Sequence, residues 1–297
     1  MDLIKRTSLV LGVALMSGVL INGVSTDKIK VNNNEVVSNK FPTAIDFAGE
    51  AAPLHISDVR ERLDRELLVN ANLHASTLLV LKRANRAFEV IEPILKKYNV
   101  PDDFKYLAVI ESGLVNAVSP AGARGVWQFM PATAKEMGLE VNDYVDERYD
   151  LERSTETACK YLLQSKAKFG SWTLAAAAYN GGNTGVNRQI ESQKVTNYYD
   201  LLLTEETSRY VFRILALKEI MKSPESYGFG MEKSELYENL PTRKVEVDTT
   251  ITDLADFALA QGINYKILKI HNPWLRDKKL LNTSGKKYSI AIPERGY

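Results

Sequence analysis

The chain is poor in the residues that build covalent or metal-based scaffolds. Its one cysteine, Cys159, excludes an intramolecular disulfide and is interpreted as a small buried hydrophobe. The three histidines, His55, His74 and His271, have no metal-ligand spacing, so the sequence indicates no metal site. A net charge of +1, with no basic-aromatic motif, gives no reason to expect nucleic-acid binding.

The glycine-rich segment around Gly122 and Gly125 lacks the pattern of a nucleotide site. It does not contain the phosphate-binding sequence G-x-x-x-x-G-K-[ST], and no other motif indicates an organic cofactor. We therefore expect a function that needs no cofactor.

The N-terminus has the pattern of an export signal. Lys5 and Arg6 precede an apolar run over residues 9–21, and the small residues that follow allow cleavage after Ser25. The run is shorter than the roughly 20 apolar residues of a membrane span, but an uncleaved N-terminal anchor remains an alternative. We expect an exported protein of the periplasm or cell envelope, with residues 26–54 as a polar linker.

One glutamate, Glu111, has an unusual position. Pro101, Asp102 and Asp103 predict a helix start, and Gly113 predicts its end, which puts Glu111 in the last turn after an apolar run. The negative end of the helix dipole and apolar surroundings both raise the pKa of a carboxyl group. Such a group can protonate a leaving glycosidic oxygen. For a lone residue, a solvated glutamate is the alternative.

Four sequence blocks follow one another from this point. They are ESGLVN from Glu111, SPAGARGVWQFMPATA from Ser119, AAAAYNGG over 175–182 and ETSRYV over 206–211. Together, over residues 85–222, they resemble the lytic transglycosylases with a goose-lysozyme-like SLT domain, of the membrane-bound transglycosylase D type. Members of this family cleave the β-1,4 bond between N-acetylmuramic acid and N-acetylglucosamine in peptidoglycan and leave 1,6-anhydromuramoyl ends.

The resemblance implies roles for individual residues. It makes Glu111 the catalytic acid/base, with Ser112 as the neighbour that helps to orient it. Gln128 and Met130 are implied to line the sugar cleft. An exposed loop residue is the alternative for Gln128.

Three further residues have implied roles in the last two blocks. Tyr179 and Asn180 are implied to contact the sugar, and the asparagine amide can donate and accept at once, which suits an N-acetyl group. Tyr210 is implied to bring a hydroxyl near the catalytic glutamate. A helix cap is the alternative for Asn180, and an ordinary core position is the alternative for Tyr210.

The mechanism implied by the family needs one protein carboxylate, because the substrate's own 6-hydroxyl replaces water. A second acidic segment, with Asp143, Asp146, Glu147 and Asp150, is interpreted as a solvated surface or a helix-capping segment. Two alternatives to a lytic transglycosylase remain open: a hydrolytic muramidase of the same fold, and a non-catalytic peptidoglycan-binding envelope protein.

The predicted fold is mainly α. Apolar spacings of three and four predict an all-α domain over residues 55–222, beginning with a long helix that Pro93 is expected to kink or divide. The family resemblance implies that this domain is lysozyme-like. A coiled-coil partner helix is the alternative for this segment. Further helices are predicted from Pro131 to Gly138, over 154–169, 172–179 and 206–221.

The C-terminal part has a different pattern. After a connector over residues 223–240, residues 241–297 predict a small α+β unit in the order βααβ, which resembles a divergent LysM module. The resemblance implies binding of N-acetylglucosamine chains, and a structural cap without sugar affinity is the alternative. Trp274 is expected either to stack on a sugar or to fill the small core. The expected partner is the peptidoglycan glycan strand, with membrane association through the N-terminus left open.

Overall fold

The computed structural model describes residues 41–297. The predicted export signal and the first part of the predicted linker lie outside the described residues. Eight α-helices form a helical lobe: α1 Ser57–Asn72, α2 His74–Lys97, α3 Lys105–Ser112, α4 Pro131–Glu136, α5 Leu151–Phe169, α6 Trp172–Gly181, α7 Asn183–Gln193 and α8 Glu205–Lys222. No helix in residues 41–297 has both the length and the apolar composition required to cross a membrane.

The remaining elements form a short hairpin before α1 and a small C-terminal module after α8. They are β1 Asp46–Phe47, β2 Glu50–Ala51, β3 Thr242–Val247, α9 Leu254–Ala260, α10 Tyr265–His271 and β4 Tyr288–Pro293. Strands β3 and β4 pair antiparallel, with Thr242 opposite Pro293 and Val247 opposite Tyr288. The predicted fold class, mainly α with a βααβ unit at the end, is confirmed.

The long N-terminal helix divides at Leu73, not at Pro93. Helix α2 continues through Pro93 to Lys97. At the break, the side chains of Asn70 and Asn72 donate to carbonyls four residues back, at 2.7 and 2.8 Å. The side chains of asparagines compete in this way with helix propagation, so they explain a break that the apolar periodicity alone does not reveal.

Residues 45–52, which fall within the predicted linker, pack into the helical lobe. Phe47 is fully buried in its core. The Glu50 carboxylate accepts from the backbone N–H groups of Trp172 and Thr173, at 2.6 and 2.8 Å, at the start of α6. Burial opposes ionisation, but hydrogen bonds from Thr173, Trp172 and Ser171 lower the pKa of Glu50 to about 2. Glu50 of the hairpin therefore caps the N-terminus of α6.

Helix ends follow their local signals. Pro131 occupies the first turn of α4, and Gly170, with φ of 70°, ends α5 in the left-handed region. Helix α5 starts at Leu151, three residues before the predicted start, because the carboxylate of Asp150 accepts from the N–H of Arg153 at 3.0 Å. Helix α7 is not predicted, since Val186 is its one buried residue and gives little periodicity.

The acidic segment between α4 and α5 is not a solvated surface. Asp146 and Glu147 are 2% and 5% exposed, and the carboxylate of Asp146 pairs with Arg148 at 2.8 Å. Asp146 and Asp150 do cap the turns that follow them, which confirms the capping alternative for these two residues. Asp143 is exposed.

The buried position expected for Cys159 and the core alternative for Trp274 are both confirmed. Cys159 is fully buried in α5, and burial raises the pKa of its thiol to about 12. Trp274 is 6% exposed and stacks on Tyr288, with ring centroids 5.6 Å apart. Trp274 therefore fills the core of the C-terminal module.

Candidate active site

Glu111 lies in the last turn of α3. Four buried apolar residues precede it, namely Leu107, Ala108, Val109 and Ile110. Gly113 adopts φ of 60° and donates its N–H to the carbonyl of Val109 at 2.8 Å, so the helix ends directly after Ser112. The Glu111 carboxyl group therefore lies at the negative end of a helix, directly after residues that are buried in the lobe.

Helix α8 supplies the polar side chains around this carboxyl group. Glu206, Tyr210 and Arg213 follow at spacings of four and three, so they share the face of α8 that packs on α3. The hydroxyl of Tyr210 donates to Oε1 of Glu111, and Nη2 of Arg213 donates to the carbonyl of Ile110 at 3.1 Å. Tyr210 is 1% exposed, so this hydroxyl is held in place by the core.

The surroundings of Glu111 favour its protonated form. Burial raises the pKa of Glu111 to about 7, and the negative charge of Glu206 adds to the rise, whereas the Tyr210 hydrogen bond and Arg213 oppose it. Burial and the Glu111 charge also raise the pKa of Tyr210 and Tyr179 well above the ordinary value. At neutral pH the site therefore contains a carboxyl group that can give up or take a proton, beside phenols that keep theirs.

Residues 117–129, which we call the glycine loop, form a tight segment next to α3. Gln128 has φ of 51°, a conformation that is unusual outside glycine, and its amide donates to the carbonyls of Gly125 and Ala117 at 2.7 and 3.1 Å. The hydroxyl of Ser112 donates to the carbonyl of Val126 at 2.8 Å. Ser112 and Gln128 therefore fix the shape of the glycine loop, while Gln128 stays partly accessible.

The end of α6 joins the glycine loop to α8. The Tyr179 hydroxyl donates to the carbonyl of Trp127 at 2.7 Å. The Asn180 amide donates to Glu206 Oε1 at 3.0 Å and accepts from the Thr207 hydroxyl at 2.7 Å. Because α6 continues through Gly181, the helix-cap alternative for Asn180 is wrong.

The structure links six of the seven predicted site residues. Tyr210 donates a hydrogen bond to Glu111. Ser112 and Gln128 both donate to carbonyls of the glycine loop. Tyr179 and Asn180 connect that loop to α8. The seventh residue, Met130, lies directly before α4 and is 42% exposed.

Sequence reasoning missed Glu206 and Arg213, which both act electrostatically on Glu111. Their signal was present, because positions 206, 210 and 213 of ETSRYVFR lie on one helix face once Tyr210 is assigned to the site. The motif ETSRYV ends before Arg213, and the family resemblance implies a role for its tyrosine alone.

The ionisation of Glu111 is expected to respond to Glu206. A nearby negative charge raises the pKa of Glu111, so Glu206→Gln lowers that pKa, and the proton is lost at lower pH. In a ¹³C NMR pH titration, the midpoint of the Glu111 carboxyl resonance should move to lower pH by less than about one unit. The amide oxygen that this substitution introduces can still accept from Asn180. The matched control is Glu205→Gln, which removes the neighbouring charge; an equal shift in both variants contradicts the assignment.

Comparison with known proteins agrees with this arrangement. Residues 89–202 match the model of the transglycosylase SLT domain, and residues 243–296 match that of the soluble lytic transglycosylase C-terminal LysM-like domain. The membrane-bound lytic murein transglycosylase D of Escherichia coli K12 is 30% identical over 258 residues, which cover 84% of this chain and 55% of that protein. The peptidoglycan transglycosylase gp16 of Escherichia phage T7 is 35% identical over 127 residues, 41% of this chain and 9% of that protein.

Residues 89–202 of the helical lobe, which include the half-buried Glu111, therefore form a domain of the SLT class. The chain carries a transglycosylase SLT domain followed by a LysM-like domain, and the resemblance predicted from the four sequence blocks is confirmed. The chain spans little more than half the length of the Escherichia coli relative that it matches.

Proposed function

We propose that this protein is a peptidoglycan lytic transglycosylase that uses Glu111 as its single acid/base. The observation that carries the proposal is the Glu111 carboxyl group, which lies at a helix end, receives a hydrogen bond from Tyr210 and has a pKa of about 7. A positioned acid with a pKa near the working pH is the most efficient proton donor to a leaving oxygen. The two domain matches support peptidoglycan as the substrate.

The proposed reaction has two proton transfers. Glu111 first gives its proton to the glycosidic oxygen between N-acetylmuramic acid and N-acetylglucosamine, and the C1–O bond breaks. The Glu111 carboxylate then takes the proton of the muramoyl 6-hydroxyl, whose oxygen bonds to C1 of the same sugar. The glutamate is thereby reprotonated, and no water is consumed.

Neighbouring side chains support each state of Glu111 in this scheme. While it is a carboxylate, the Tyr210 hydrogen bond and the charge of Arg213 stabilise it. While it is an acid, burial and Glu206 keep the proton on it. We propose that Gln128, Met130 and Asn180 bind the glycan, with the Asn180 amide exchanging its present partners for the N-acetyl group of the sugar.

The place of action that we propose is the cell envelope. A charged segment followed by the apolar run over residues 9–21 supports export, and a peptidoglycan substrate requires it. The protein would act in cell-wall turnover there, with the C-terminal module adding contacts to the glycan.

The proposed chemistry is tested by mass spectrometry of the products that the full chain releases from purified peptidoglycan. An anhydromuramoyl product is lighter by one water than the product of hydrolysis, so the two reactions separate without labels. We expect anhydromuramoyl ends. Reducing ends would instead identify a hydrolytic muramidase, and no release would favour a glycan-binding protein.

A further inference from the structure

Residues 140–149, which we call the docking loop, precede α5 of the helical lobe but enter the C-terminal module. Val145 and Tyr149 are 0% and 5% exposed, and both belong to the hydrophobic cluster of the module. The guanidinium group of Arg276 lies over the Tyr149 ring, 4.2 Å from its centroid. The core of the module is therefore incomplete without the docking loop.

Backbone hydrogen bonds also join the two parts. Val145 forms a β-bridge with Leu275, and the N–H of Asp146 donates to the carbonyl of Trp274 at 2.9 Å. The N–H of Arg276 donates to the carbonyl of Tyr144 at 2.8 Å. Such bonds fix the register of the docking loop against the module residue by residue.

Charged side chains complete this contact. Nζ of Lys286 lies 2.7 Å from Glu140 Oε2 and 2.8 Å from Glu147 Oε1. The side chain of Glu147 is only 7% exposed, and its other cation, Arg153, is 3.6 Å away. Because a buried carboxylate without close cations is costly, Lys286 of the module stabilises the buried position of Glu147.

The opposite face of the docking loop holds the glycine loop of the active site. Arg148 is 3% exposed, and its Nη1 donates to the carbonyls of Gly122 and Phe129 at 3.1 and 3.2 Å. Gly125 lies so close that a Cβ atom there would be 1.8 Å from the carbonyl oxygen of Arg148. The docking loop therefore contacts the module on one side and the glycine loop on the other.

We propose that the C-terminal module is a positioning element of the active site, acting through the docking loop and Arg148 on the glycine loop. As a statement about catalysis, this rests on the proposed function. The module then contributes to turnover at the glutamate, in addition to any contact that it makes with glycan.

The test is Lys286→Met in the full chain, with Lys287→Met as the matched control. Lys287 is exposed and has no ion pair within residues 41–297. We expect Lys286→Met to speed amide hydrogen exchange of Arg124 and Gly125 roughly tenfold, since their N–H groups bond inside the glycine loop. On soluble glycan strands, kcat should fall roughly tenfold with KM changed by less than about twofold.

Two further variants keep the proposal open to refutation. Lys286→Arg keeps the cation, so amide exchange and kcat should both stay near the wild-type values. Tyr288→Phe keeps the ring but removes a hydroxyl that donates to Glu140 at 3.0 Å, so it should change both quantities in the same direction as Lys286→Met. A rise in KM alone, with glycine-loop exchange unchanged, would overturn the proposal and identify the module as a glycan binder. Hydrogen exchange requires no turnover, so it decides the positioning role even if the wild type releases no product.

Discussion

Glu111→Gln is expected to lower the rate of product release by roughly 10²- to 10⁴-fold, because positioned acid/base catalysis contributes about that much. Glutamine keeps the size of the side chain and can still accept from the Tyr210 hydroxyl, so the site should retain its shape. The measurement is kcat on soluble glycan strands, accompanied by a binding titration with the same strands. We expect binding within about threefold of the wild type.

The same variant is expected to gain stability at alkaline pH. The pKa of Glu111 is raised in the folded state from 4.5 to about 7, so the folded protein binds more protons than the unfolded chain between these values. The free energy of unfolding of the wild type therefore falls as the pH rises from about 4.5 to about 7, by up to about 3 kcal/mol. Denaturant titrations at pH 4 and pH 8 should show Glu111→Gln more stable than the wild type at pH 8 alone. A variant that unfolds more easily at pH 8 would refute this account of the burial.

Gly125→Ala is expected to have the second largest effect. Its Cβ would lie 1.8 Å from the carbonyl oxygen and 2.8 Å from the carbonyl carbon of Arg148, and backbone atoms cannot rotate away as a side chain can. The glycine loop or the docking loop must therefore move. We expect a loss of roughly 3 kcal/mol in the free energy of unfolding and roughly 10²-fold in kcat, because the Gln128 segment is displaced.

Gly122→Ala is the matched control for this collision. Gly122 has φ of +91°, close to the +83° of Gly125, but a Cβ atom there would meet nothing within 4 Å. It should cost about 1 kcal/mol, the strain of a left-handed alanine alone. Equal losses from the two variants would mean that conformation, and not contact with Arg148, determines the shape of the glycine loop.

Much of the helical lobe could be predicted because its signals are local. The apolar spacing of α8, Pro131 at the start of α4 and Gly170 after α5 act within a few residues, so the sequence predicts these elements closely. The hairpin around Phe47 depends on contacts between distant residues, which no local pattern reveals. The break at Leu73 follows from the side chains of Asn70 and Asn72, whose effect the apolar periodicity does not show. The apolar periodicity of one segment cannot show that Glu50 caps the start of α6.

The site shows the same division between local and distant signals. The position of Glu111 at a helix end follows from Gly113, and the role of Tyr210 was implied by family resemblance. The link from the docking loop through Arg148 to the glycine loop was not predicted. It arises where a charged segment becomes buried between two structural units, and the sequence alone suggests a solvated surface there.

The central claim is that burial keeps a proton on Glu111 near neutral pH. The most direct measurement is a carboxyl ¹³C NMR titration of the full chain, with Glu111→Gln used to assign the signal. We expect the Glu111 resonance to titrate with a midpoint near pH 7. A midpoint near 4.5, the ordinary value for glutamate, would contradict the claim, because the carboxyl group would then be ionised before it could act as the acid.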